Sequence, residues 1–168
     1  MNVPTVNRWL RVYDQSLALD SQKLCYLSYD SRRTLMLSLA PEGDRLMFYT
    51  PLMPIGDDSQ LLKVALACNL YQDKNNVGSV GFDELTSHLV YSYCLNLNDV
   101  GEAQFHETID GVTRNAKMLI QKLEKFNQHT IQTDGKENPK STRDLQADNP
   151  LNKITNNFIR HHLESASG

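Results

Sequence analysis

The sequence predicts an α+β domain ordered helix, three strands, helix, two strands, helix (α-β-β-β-α-β-β-α) around a twisted antiparallel sheet. Apolar residues recur at helical spacing in three separated stretches, and between these lie short apolar segments bounded by turn residues. Composition then changes sharply at Phe126, before which lie all seven tyrosines and the only tryptophan, Trp9. These observations divide the chain into a domain over residues 1–126, a linker over 127–150 and a tail over 151–168.

Val6, Leu10, Tyr13 and Leu17 share one helical face, and Pro4 suits a first turn, which places the first helix. Leu24–Tyr29, Thr34–Ala40 and Arg45–Thr50 follow as a meander, separated by Asp30-Ser-Arg-Arg33 and Pro41-Glu-Gly-Asp44. Both faces of that meander are largely apolar, whereas a sheet wetted on one side alternates more cleanly. Pro51-Leu-Met-Pro54 is expected to break the pattern. Asp57 with Gln60 gives a capping-box signal for a second helix, about Asp58 to Tyr71, whose apolar arc is wider than one packing face requires. Val77–Leu85 and His88–Leu97 read as two further strands. Asp99 with Glu102 gives a second capping box, opening a long helix along Phe105, Ile109, Val112, Ala116, Leu119, Leu123 and Phe126.

From Asn127 to Pro150 only Ile131, Leu145 and Ala147 are apolar, too little to offset the entropy of ordering, hence a linker. In the tail, Leu151, Ile154, Phe158, Ile159 and Leu163 recur at the spacing of a short amphipathic helix.

The chain has 168 residues, 17 Lys+Arg against 20 Asp+Glu and 40% hydrophobic residues, enough for one domain with its own core. A net charge of -3 with no basic stripe argues against nucleic acid as a partner. The longest apolar run, Val64 to Cys68, is far short of a bilayer span, so no membrane insertion is expected. Arg8, Arg11 and Asp14 stand where a secretory signal needs an apolar region, so a cytosolic location is expected. Cys25, Cys68 and Cys94 are widely spaced and set in apolar stretches, as reduced packing residues are.

Motifs for chemistry are sparse. Asp73, Asn75, Gly78, Val80 and Glu84 match positions 1, 3, 6, 8 and 12 of an EF-hand loop. Position 5 is Val77, however, which has no side-chain oxygen, and strand alternation follows where an exit helix is needed. The stretch reads as a helix-to-strand turn. No cysteine pair has zinc spacing, His161-His162 sits in the tail, and His106-Glu107 has no cysteines to complete a deaminase site. Cys68 and Cys94 with His88 are the residue types of a nucleophile and base, but both cysteines sit in apolar stretches that favour packing. There is no phosphate-binding glycine loop and no nucleophile elbow. No catalytic residue, metal site or cofactor is expected, and Lys117, Lys122 and Lys125 read as a solvated helix end. The informative feature is surplus apolar surface, which calls for a partner: a second copy, a bound polypeptide, or both.

The stretch Leu61-Leu-Lys-Val-Ala-Leu-Ala-Cys-Asn-Leu-Tyr71, then Val80-Gly-Phe-Asp83, Leu89 to Leu97, and Phe105, Ile109, Val112, Ala116 and Leu123 resembles the class I type III secretion chaperones, the Tir chaperone family. The resemblance covers about residues 3 to 126. It departs from the family at Leu119, where relatives often carry tryptophan, and in the extension from Asn127 onward. It implies a non-enzymatic homodimer in the bacterial cytosol that holds the N-terminal chaperone-binding segment of a secreted effector extended, with the export ATPase as a further partner. It also implies dimer contacts at Leu62, Leu66, Asn69, Leu70 and Phe82, and effector contacts at Val6, Trp9, Tyr13, Leu27, Tyr29, Leu37, Phe48 and Tyr91. A dimeric interaction or regulatory protein of the same fold, without an effector client, is the alternative.

Overall fold

The computed structural model describes residues 3–56, 58–70 and 78–134. Its elements follow the expected order: α1 (Val3–Tyr13), β1 (Leu24–Asp30), β2 (Arg33–Leu39), β3 (Arg45–Pro54), α2 (Ser59–Ala67), β4 (Ser79–Asp83), β5 (His88–Asn96), a short 3-10 turn (Leu97–Asp99) and α3 (Glu102–Asp134). The strands form one antiparallel sheet in the order β1-β2-β3-β5-β4. β5 therefore lies between β3 and β4, and β1 and β4 are the edges.

Helices cover one face of the sheet. Alternate strand residues, among them Cys25, Leu27, Leu35, Leu37, Leu46, Phe48, Leu89, Tyr91 and Leu95, meet Val6, Trp9 and Leu10 of α1, Leu61 and Ala65 of α2, and Phe105, Ile109, Val112, Ala116, Ile120 and Leu123 of α3 in one core. Trp9 stacks at a tilt on Phe105, ring centroids 5.4 Å apart, and His106 Nε2 donates to the Trp9 carbonyl at 2.8 Å. These contacts tie α1 to the start of α3.

Several boundaries differ from the expected ones, each for a local reason. α1 starts at Val3 and ends at Tyr13, because Asp14 Oδ1 accepts from the Ser16 amide and hydroxyl at 2.8 and 2.7 Å and turns the chain. Leu17 thus leaves the helix but stays buried. β3 runs through Pro51 to Pro54, where a break was expected. A register shift between Pro51 and Met53 lets it keep pairing with β5, while its ladder with β2 ends at Met36 and Tyr49. Pro51 has no N–H to extend that second ladder.

α2 is capped by Asp58, whose Oδ1 accepts from the Gln60 and Leu61 amides at 2.9 Å each; Asp57, the expected cap, lies outside the described residues. Asp99 does not open α3. It sits in the 3-10 turn, where Asn96 Nδ2 donates to its Oδ2 at 2.6 Å, and Gly101 begins the helix by accepting from the Phe105 amide at 3.0 Å. α3 then continues past Phe126 to Asp134. The chain has no Gly or Pro between Gly111 and Gly135 to stop propagation, so the helix extends into the segment read as linker. The rest of the 127–150 segment and the 151–168 tail lie outside the described residues.

The second face of the sheet is apolar, as expected, but it shields much of itself. Met36 is paired with Tyr26 on one side and Tyr49 on the other, and it is fully buried; Leu24 and Val90 are buried on the same face. Since the Asp58 carboxylate satisfies two first-turn amides of α2, Asp58→Ala should lower unfolding stability by about 1 kcal/mol in urea titrations without shifting the slope.

Candidate functional site

The exposed apolar surface collects at one corner. α2 turns Leu61, Ala65 and Cys68 inward at helical spacing, which leaves Leu66 and Leu70 on the opposite side, 46% and 81% exposed. Beside them, β4 sends Val80 into the core, whereas Phe82, on the same strand face but nearer the strand end, stays 43% exposed. Leu85 follows in the β4–β5 turn, 65% exposed. Four of the seven large exposed hydrophobics among the described residues thus lie on α2, just past its end, on β4 and in the turn after it; Val12, Tyr26 and Met118 lie elsewhere. An apolar cluster of this kind marks a surface that a partner covers.

Polar groups fix the corner's geometry. Asn69, just past the end of α2, donates from Nδ2 to the Val80 carbonyl at 2.8 Å and accepts the Val80 amide on Oδ1 at 2.7 Å. Asp83 holds the other end of β4: Oδ1 accepts from the Leu85 amide at 3.0 Å, and Oδ2 accepts from the Tyr49 hydroxyl at 3.1 Å across β5. Burial, then the Asp83 charge and that hydrogen bond, push the Tyr49 phenol well above its ordinary range and keep it neutral.

All five residues read as dimer contacts fall at this corner. Leu66, Leu70 and Phe82 are exposed, Leu62 is half-buried against the core, and Asn69 is the half-buried brace of β4. The residues read as effector contacts divide differently. Val6, Trp9, Leu27, Leu37, Phe48 and Tyr91 are all buried in the core, which removes the ground for reading them as contact surface: their apolar character serves packing of the helices on the sheet. Only Tyr13 and Tyr29 keep exposed area. Tyr13 donates to Asp110 Oδ1 at 2.7 Å; Tyr29 meets Thr50 Oγ1 at 3.1 Å and lies under Lys117, whose Nζ is 5.6 Å from the ring centroid. Leu85 was not singled out from the sequence, which placed it at the end of a strand; the structure puts it in the β4–β5 turn, a position that normally carries polar residues.

A second concavity, a cleft of about 550 Å³, opens where β2 and β3 part, lined by Asp30–Thr34, Pro51–Pro54 and His88. It contains none of the residues read from the sequence as dimer or effector contacts, but it does include His88, the residue read as a possible base. Arg33 in its wall pairs with Asp30 and Glu124, each at 3.3 Å.

The Cys94 thiol and the His88 imidazole are kept apart. His88 and Cys94 are six residues apart on β5, roughly 20 Å at the rise of a strand. Cys68 Sγ contacts the Val64 carbonyl at 3.3 Å within its own helix. Burial pushes the Cys25 thiol up to about 11, so it stays protonated at neutral pH. Among the described residues no three His, Cys, Asp or Glu side chains are placed to hold a metal ion; Asp73, Asn75 and Val77 of the EF-hand-like spacing lie outside them. No helix of the described residues is long and apolar enough to cross a membrane.

Residues 8–119 match the model of the Tir chaperone protein (CesT) family, and the chain belongs to that family. No curated protein matches it in sequence. Among solved structures, its fold is similar to one in the ExsC-ExsE complex, with 21% identity over 72% of this chain and 95% of that one and a TM-score of 0.62. It is also similar to the Yersinia pestis type III secretion chaperone SycH, solved with a stable fragment of YscM2, at 18% identity over 68% of this chain and 99% of that one, TM-score 0.53. YbjN, a putative transcription regulator from E. coli, shares the fold at 14% identity over 76% of this chain and 94% of that one, TM-score 0.60. The α+β architecture with its five-stranded sheet is thus that of type III secretion chaperones.

Two outcomes check the placement of α1. Trp9→Ala should destabilise the fold by about 3–5 kcal/mol in urea titrations, as loss of a buried aromatic does, rather than leave stability intact as a surface contact would. The Tyr13 phenol is pushed up to about 12 by burial and then by its bond to Asp110, above its unfolded value of 10.0. A raised folded value means that stability from this contact is present below pH 10 and lost as pH rises toward 12. In a difference ultraviolet titration of wild type against Tyr13→Phe, the Tyr13 phenolate should appear near the upper value.

Proposed function

We propose that this protein is a cytosolic bacterial type III secretion chaperone. It acts as a homodimer, binds the N-terminal chaperone-binding segment of one or more effectors, keeps that segment extended and aids its delivery to the export apparatus, where the export ATPase is a further partner. It does so by binding alone, without catalysis. The family match over residues 8–119 carries this reading, and the fold's likeness to a secretion chaperone solved with a bound fragment supports it.

The second copy docks at the corner of α2 and β4, where Leu66, Leu70, Phe82 and Leu85 leave apolar side chains in water. Covering them returns about 25 cal/mol for each Å² of apolar surface removed from water. The effector binds elsewhere, over surface that pairing leaves open, with Tyr13 and Tyr29 the members of the expected set that keep exposed area. A regulatory protein without an effector client is the second reading, favoured by the likeness to YbjN, a putative transcription regulator.

Two measurements test the proposal. Leu66→Asp combined with Leu70→Asp should halve the light-scattering mass while leaving the circular dichroism spectrum unchanged, since both side chains are exposed in the single chain. Capture of the tagged protein from the bacterium that encodes it, followed by mass determination and mass spectrometry, should recover two copies with the N-terminal part of one secreted protein. A dimer with no client would favour the regulatory reading.

A further inference from the structure

We infer that the Asn69 side chain closes the free edge of β4 against the addition of another strand. In an antiparallel pair, a residue turns its N–H and C=O to the same side, toward one neighbouring strand. The Val80 amide is taken by Asn69 Oδ1 at 2.7 Å and its carbonyl by Asn69 Nδ2 at 2.8 Å. Val80 is in register with Tyr91 of β5, and because its amide and carbonyl both meet Asn69, they face away from β5 at this position. The Asn69 carboxamide therefore meets Val80 as a neighbouring strand would, exchanging both bonds with one residue.

This matters because of where β4 lies. It is an edge strand, and an exposed edge is a template for pairing with another chain. Apolar Phe82 and Leu85 lie close by and would attract such a chain. β4 is only five residues long, and Asn69 occupies a ladder position near its middle. A strand laid along β4 would have to displace both of these bonds. The opposite edge carries a comparable cap: Asp20 Oδ1 accepts the Leu24 amide at 2.9 Å and the Asp20 amide donates to the Leu24 carbonyl at 2.7 Å. The corner is thereby left to side-chain contact, and a partner seats on Leu66, Leu70, Phe82 and Leu85 without extending the sheet.

The test compares full-length wild type, Asn69→Ala and Asn69→Asp, the last keeping an acceptor for the Val80 amide but no donor for its carbonyl. Hydrogen exchange at the Val80 amide reads the cap, and light-scattering mass over about a hundredfold range of concentration reads the edge. Asn69→Ala should exchange Val80 about tenfold faster or more and form species that outgrow those of wild type as concentration rises, with Asn69→Asp between the two. Unchanged exchange would overturn the inference, as would faster exchange with the mass of wild type. If Asn69→Ala loses its fold by circular dichroism, the same two readouts on Asn69→Asp decide. Wild type running as a single chain would contradict the pairing proposed above and leave this comparison standing.

Discussion

The antiparallel pairing of Arg45–Pro54 with His88–Asn96 is the contact on which the other features depend. It joins strands separated in sequence by α2 and β4, so it places β5 in the sheet's interior and leaves β4 outside as an edge. The Pro51–Met53 bulge bends β3 to stay with β5, while the ladder to β2 has already ended at Tyr49, which opens the cleft between β2 and β3. α2, crossing between the two strands, is held beside the edge it precedes. The unpartnered corner is thus a product of topology as much as of composition.

What this arrangement offers at the corner is apolar surface. Cys94 and His88 lie six residues apart on β5, the Cys25 thiol is held protonated, and the Tyr49 phenol is locked to Asp83 in its neutral form. The polar side chains near the corner serve the backbone: Asp58 caps α2, Asn69 braces β4 and Asp83 shapes the turn after it. A fixed scaffold with exposed leucines and a phenylalanine suits recognition by burial of apolar surface, which is how a family of protein-binding chaperones would work.

Element order was legible because it depends on periodicity, and the helices of this chain carry long apolar rows such as Phe105–Ile109–Val112–Ala116. Boundaries were less so, since they turn on single hydrogen bonds. Asp14 ends α1 with an Asx turn, Asp58 rather than Asp57 caps α2, and Gly101 rather than Asp99 begins α3. The bulge that carries β3 through two prolines has no signature in a local pattern. The exposed apolar corner was legible in the wide apolar arc of α2, but the burial of the residues expected to meet an effector was not: a buried Trp9 and an exposed one look alike in a sequence, and only packing against Phe105 distinguishes them. The second sheet face was correctly read as apolar, yet its cover comes partly from Tyr26 and Tyr49 flanking Met36, a cross-strand arrangement fixed by register.

The most direct test of the account is residue-resolved footprinting of the wild-type chain as concentration is raised, with mass measured on the same samples. The account predicts that the mass moves from one 19.1 kDa chain to two, with protection falling on Leu66, Leu70, Phe82 and Leu85 while Val12 and Tyr26 keep their reactivity. A single-chain mass throughout, or protection confined to Tyr26 and the face around it, would contradict it.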